Sequence, residues 1–89
     1  MTFAEEKRKR VSALLAYIVE KKRATKNSLI GQFCFEWGVR QQRILDYLDE
    51  LRKAGFIKTY AFEDNPDDFI VEPTKEGIEK VKEIGREKP

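Results

Sequence analysis

The sequence of 89 residues predicts a mainly helical domain with a small β-hairpin, an α+β fold in the order helix, helix, helix, strand, strand, helix. Three observations carry this reading. Apolar residues recur at helical spacing in three segments before residue 55, β-branched and aromatic residues flank an acidic turn between residues 56 and 72, and helical spacing returns after Thr74. A chain of this length supports one modest core and no second, so residues 1–89 read as a single domain.

Each element follows from local chemistry. Thr2 and Glu5 form a capping box, and Val11, Leu14, Leu15, Ile18 and Val19 then repeat at helical spacing, placing helix 1 within residues 1–22. Thr25 is the expected N-cap of helix 2 (25–37), which turns Leu29, Ile30, Phe33 and Trp37 inward and stops at Gly38. The Gly38-Val39 link is too short for antiparallel packing, so helices 2 and 3 should cross steeply with Val39 filling the corner. Helix 3 (40–54) presents Ile44, Tyr47, Leu48 and Leu51 as one stripe and ends at Gly55, a residue suited to the left-handed conformation that closes helices. Phe56 to Phe62 and Phe69 to Glu72 read as the strands of a hairpin (56–72) around Glu63-Asp64-Asn65-Pro66-Asp67-Asp68. Thr74 caps helix 4 (74–87), in which Ile78, Val81 and Ile84 should line one face, with Gly85 and Pro89 at the fraying end.

Composition narrows the function. Charged residues make up 38% of the chain for a net charge of +2, a thermophile-like balance of both signs. With one cysteine and no histidine, an internal disulfide is impossible and the usual zinc ligand sets cannot form, which fits a reducing cytoplasmic compartment. The charged start MTFAEEKRKR lacks a signal peptide's apolar run, and no stretch approaches a membrane span. No nucleophile with a neighbouring base and no phosphate-binding glycine loop is present, so no enzyme and no cofactor is expected. Nor is there a sequence sign of a ligand pocket.

Charge is placed unevenly. Residues 1–53 hold 12 Lys/Arg against 7 Asp/Glu, whereas residues 54–89 hold 6 against 9, which favours an anionic partner for the first part. The free face of helix 3 opens with Arg40, Gln41, Gln42 and Arg43. Arg and Gln make paired hydrogen bonds to guanine and adenine edges in the major groove. Gln41 and Gln42 should point most directly outward, and Arg43, nearer the core stripe, should reach phosphate. Asp46 and Asp49 follow on the exposed side and should confine contact with DNA to the first turn and a half, although a carboxylate can accept from the cytosine amino group. The alternative reading of this face is an ordinary solvated surface. Lys7, Arg8, Lys9 and Arg10 wrap around helix 1 rather than forming one patch, which suits solubility as well as binding. Phe33 and Trp37 share the inward face of helix 2, which favours core over a base-stacking platform, while Phe35 points elsewhere as a candidate exposed contact or dimer seam. Cys34 reads as a small buried hydrophobe.

Three runs carry a family resemblance. Phe33-Cys34-x-x-Trp37-Gly38-Val39 resembles the Leu-Ala-x-x-Leu-Gly-Val turn of the winged helix-turn-helix domain of small bacterial and archaeal transcription regulators. Leu48-x-x-Leu51-x-x-x-Gly55-Phe56-Ile57 resembles that family's passage from recognition helix to wing, and Pro73-Thr74-x-x-Gly77 is similar to the run after its second wing strand. The resemblance covers nearly the whole chain. It implies a regulator binding double-stranded DNA as a homodimer, with helix 3 in the major groove and a short strand at Arg23 to Thr25 joining the wing sheet. It also implies a phosphate held by Lys26 and Asn27 at the start of helix 2, with the Ser28 hydroxyl beside it. Dimer contacts are expected at the start of helix 1, near Phe3, or along helix 4.

Two features depart from the family pattern. Arg40 stands where members commonly place a Ser or Thr cap, so the first turn of helix 3 should lack a side-chain cap until it meets a phosphate. The wing tip, residues 63–68, holds four carboxylates and no base where a cation is usual. Either this wing stands away from the duplex, or it serves a protein partner through Asp64, Asp67 and Asp68 with the aromatics Tyr60, Phe62 and Phe69. The second possibility makes the rival function a protein interaction module.

Overall fold

A computed structural model describes residues 3–87, with side chains described from residue 5 to residue 85. Its elements are α1 (Phe3–Lys21), β1 (Ala24–Thr25), α2 (Lys26–Trp37), α3 (Gln41–Lys53), β2 (Ile57–Ala61), β3 (Phe69–Pro73) and α4 (Lys75–Glu87). The periodicity predicts this order except for β1, which the family resemblance implies. The Thr2 capping box, the Phe3 side chain and Pro89 lie outside what is described.

Each helix stops for a local reason. Lys22 takes a positive φ of 68°, which ends α1 and turns the chain into β1. At the N-terminus of α2, Thr25 is extended and its Oγ1 accepts the Ser28 amide at 3.2 Å, the cap expected from the sequence. Gly38 is left-handed at φ 63°, which lets the Val39 amide reach the Cys34 carbonyl at 3.2 Å and close the turn into α3. Arg40 precedes α3 without a side-chain cap. At the other end, Gly55 has φ 83° and the Phe56 amide donates to the Leu51 carbonyl at 3.0 Å.

The sheet has strand order β1-β3-β2, antiparallel throughout. In the hairpin, Ile57 lies opposite Pro73 and Ala61 opposite Phe69, while Ala24 pairs with Val71 and Thr25 with Ile70 on the other edge. Central placement buries Val71 completely. Arg23 lies just outside the strand implied by the resemblance, and its Nε donates to Glu72 Oε2 at 3.0 Å.

The core joins all layers: Leu14, Leu15 and Ile18 from α1, Leu29, Ile30 and Phe33 from α2, Ile44, Tyr47, Leu48 and Leu51 from α3, with Ile57 and Val71 from the sheet. Rings fasten three helices together. Tyr17 meets the edge of Phe33 at 5.1 Å, Phe33 lies 4.5 Å from Trp37, and Trp37 meets Tyr47 at 6.3 Å between centroids. Phe33 and Trp37 are therefore core, as expected, and Val39 is half-buried against the same cluster.

Helix α4 is only partly buried. Along the face of Ile78, Val81 and Ile84, Val81 packs on the core and Ile84 is half-buried, while Ile78 remains 37% exposed. The residue facing inward is Gly77. Thr74 Oγ1 donates to the Gly55 carbonyl at 2.6 Å and accepts the Gly77 amide at 3.1 Å, while the Thr74 amide donates to the Phe56 carbonyl at 3.0 Å. These bonds draw the start of α4 onto the end of α3, where a Cβ on Gly77 would strike the Phe56 carbonyl.

Candidate nucleic-acid interface

Burial of Ile44, Tyr47, Leu48 and Leu51 sets the rotation of α3. With that stripe held inward, Arg40, Gln41, Gln42 and Arg43 are all exposed at the helix start. A shallow cleft is lined here by Gly38, Val39, Arg40, Gln42, Arg43 and Asp46. Gln42 Nε2 donates to Asp46 Oδ1 at 2.9 Å. Because a carboxylate only accepts, this contact determines which end of the amide faces Asp46, and the Gln42 carbonyl oxygen is turned away from it.

The carboxylates further along α3 are balanced locally. Asp49 accepts from Arg52 at 2.7 Å and pairs with Lys53 at 3.0 Å. The hydrogen bonds from Arg52 and Lys53 hold its carboxyl below its ordinary value. Glu50 reaches Lys7 of α1 at 3.2 Å, and Arg10 of the same basic run bonds to Glu6 at 2.6 Å. Lys7 and Arg10 are thus engaged within the protein.

At the start of α2 the structure brings together residues the sequence left apart. Lys26, Asn27 and Ser28 lie where the resemblance implies a phosphate, and the wing reaches the same place. Asp68 Oδ1 accepts the Asn27 amide at 3.1 Å and the Phe69 amide at 2.8 Å. Lys26 Nζ donates to the Asp67 carbonyl. The rest of the wing turn is organised by Asn65, whose Oδ1 accepts the Asp67 amide at 3.1 Å and whose carbonyl accepts the Asp68 amide at 3.3 Å. Sheet register explains the meeting. With Thr25 opposite Ile70, the antiparallel pair carries residues 26 and 27 alongside 69 and 68. In the sequence Asp68 belongs to a wing tip that either stands away from the duplex or serves a protein partner; its role as an internal acceptor depends on which strand lies at the sheet centre.

The aromatics of the wing divide. Tyr60 is 44% exposed, with Lys58 Nζ 5.8 Å from its ring centre. Phe62 is half-buried and Phe69 packs against the core, so the expected run of three exposed rings reduces to one. Phe35 on α2 is 93% exposed, as its spacing predicts. Cys34 beside it is partly buried against the core.

The tight turn, the helix after it and the three-stranded sheet define a winged helix-turn-helix fold. Solved structures share it. The chain superposes on MarR with a TM-score of 0.73 at 24% identity, covering 85% of this chain and 53% of that one. It matches a mutant MarR from E. coli in complex with operator DNA with a TM-score of 0.72 at 16% identity, over 86% of this chain and 52% of that one. The transcriptional regulator BldR from Sulfolobus solfataricus gives a TM-score of 0.67 at 18% identity, over 85% of this chain and 51% of BldR. The chain therefore spans about half the length of the structures it matches. No protein-family model and no curated protein sequence matches it. Among the described residues, no helix is long and apolar enough to cross a membrane.

Proposed function

We propose that this chain binds double-stranded DNA as a transcriptional regulator, placing the first turn of α3 in the major groove. The observation that carries the reading is the set Arg40, Gln41, Gln42 and Arg43, exposed together at a helix start whose rotation is held by a buried stripe and whose N-cap makes no side-chain bond. Such a turn offers base-reading side chains and amides that a backbone phosphate can cap. Likeness of fold to a MarR solved with operator DNA supports the same assignment.

Two copies would read paired half-sites, since one helix turn is a small contact surface. The exposed Ile78 of α4 is an apolar group suited to a homodimer contact. A groove of about 400 Å³ between α1, α3 and α4, floored by Val11, Leu15, Leu51, Phe56 and Ile84, adds an apolar surface beside α4.

The rival role, a protein interaction module at the wing, loses support from the geometry. Asp68 is engaged by two amides of its own chain, and Phe69 is packed inward. On that reading, neutralising Asp64, Asp67 and Asp68 would abolish capture of a protein partner.

Salt dependence tests the DNA reading. Binding to duplex DNA, followed by fluorescence anisotropy, should weaken steeply as salt rises, because each neutralised phosphate releases counterions. No measurable affinity at low salt, on both random DNA and the DNA upstream of its own gene, would overturn it.

A further inference from the structure

We infer that Asp68 is a latch which holds Lys26 and the start of α2 against the wing in the free protein and opens when duplex DNA binds. The inference rests on the DNA-binding reading above and adds a means of regulating it.

Three observations meet. Asp68 Oδ1 bridges the Asn27 amide of α2 and the Phe69 amide of β3, so one carboxylate ties the wing to the helix. Lys26 Nζ is drawn to the Asp67 carbonyl of the same turn. The β1–β3 register leaves these groups no choice of neighbour, because Thr25 opposite Ile70 sets residues 26 and 27 beside residues 69 and 68. The cation and the helix amide that suit a phosphate are therefore already engaged, one by a carbonyl and the other by a carboxylate.

A DNA phosphate brought to this place meets a resident negative charge, and the two cannot share the Asn27 amide without strong repulsion. Binding must move the Asp68 carboxylate aside, and Lys26 must exchange a carbonyl for a phosphate. The closed latch lowers affinity for DNA of any sequence, leaving base contacts from α3 to decide which sites are occupied. An acidic wing thereby opposes binding to every sequence alike and leaves the ratio between specific and random sites to the α3 contacts.

Charge alone and a latch make different predictions. Asp68→Ala removes both the acceptor and the charge, whereas Asp68→Asn keeps an oxygen that can still accept the Asn27 and Phe69 amides. Binding to an unrelated duplex is measured by anisotropy across a salt series. Asp68→Ala should tighten binding about tenfold at low salt, because binding no longer has to displace the resident carboxylate. Lys26→Ala should change the affinity of the parent less than twofold, yet reverse most of the gain when added to Asp68→Ala. A gain from Asp68→Asn equal to that from Asp68→Ala would reduce the effect to simple charge repulsion and overturn the latch. So would an equal loss from Lys26→Ala in both backgrounds. If Asp68→Ala does not fold, duplex titration of the unsubstituted protein by NMR decides: the Asn27 amide should shift together with those of Gln41 and Gln42. An Asn27 amide that stays still while the α3 amides move overturns the inference. Absence of duplex binding by the parent and every variant would instead remove the DNA reading, and the latch with it.

Discussion

Gly77 lies with its Cα against the Phe56 carbonyl, and the collision awaiting any Cβ there explains the Thr74-x-x-Gly77 run in physical terms. Gly77→Ala should cost about 1–3 kcal/mol of stability through overpacking against backbone, read as a lower urea midpoint with an unchanged slope. The exposed amides of α3 concern binding instead. Gln41→Ala and Gln42→Ala should each reduce sequence preference by ~1–3 kcal/mol per lost base contact while leaving affinity for random DNA intact, as measured by competition between specific and random duplexes. Uniform weakening on every sequence would assign both residues to the phosphate backbone. At this scale the sequence was informative wherever spacing decides orientation: Phe33, Phe35, Ile44 and Tyr47 all point as their helical positions require. Spacing put Ile78 on the face of Val81 and Ile84 but did not set its 37% exposure, which depends on how α4 docks.

Among the elements, α3 has the sharpest division of labour. Its stripe fastens it to the core, its first turn is exposed, and its last turn neutralises Asp49 with Arg52 and Lys53. Because these partners hold the Asp49 carboxyl below its ordinary value, the ionised form is favoured in the folded protein. The resulting stability is present above the unfolded value near pH 4 and is lost as pH falls through the lower folded value. Asp49→Asn should accordingly flatten the acid limb of the thermal stability profile below about pH 4 and matter little to its shape near neutrality, as followed by circular dichroism. Helix α2 illustrates what an element hides. Its cap at Thr25 could be read from one residue, giving an expected loss of about 1 kcal/mol for Thr25→Ala in urea unfolding. Its second anchor, Asp68, stands 41 positions away and became visible only once β1 was paired with β3.

Across the whole molecule, the charge asymmetry of the sequence becomes a spatial arrangement in which the acidic turn folds back onto Lys26 and Asn27 of the basic part. The proposed homodimer is tested by sedimentation: the parent should sediment as two copies, and Ile78→Glu should yield the monomer with at least a tenfold loss of affinity for a paired site but not for a half-site. An unchanged dimer would place the contact elsewhere. Local pattern was enough to determine the order of the four helices and the hairpin, the caps at Thr25 and Thr74, the left-handed glycines at 38 and 55, and the buried stripe of α3, because each depends on residues within a few positions of one another. Tertiary structure alone decided that β3 lies between β1 and β2, that Gly77 rather than Ile78 meets the end of α3, and that Asp68 occupies the start of α2. These outcomes depend on strand register and helix docking, which arise from contacts between distant segments and leave no periodic trace in the chain.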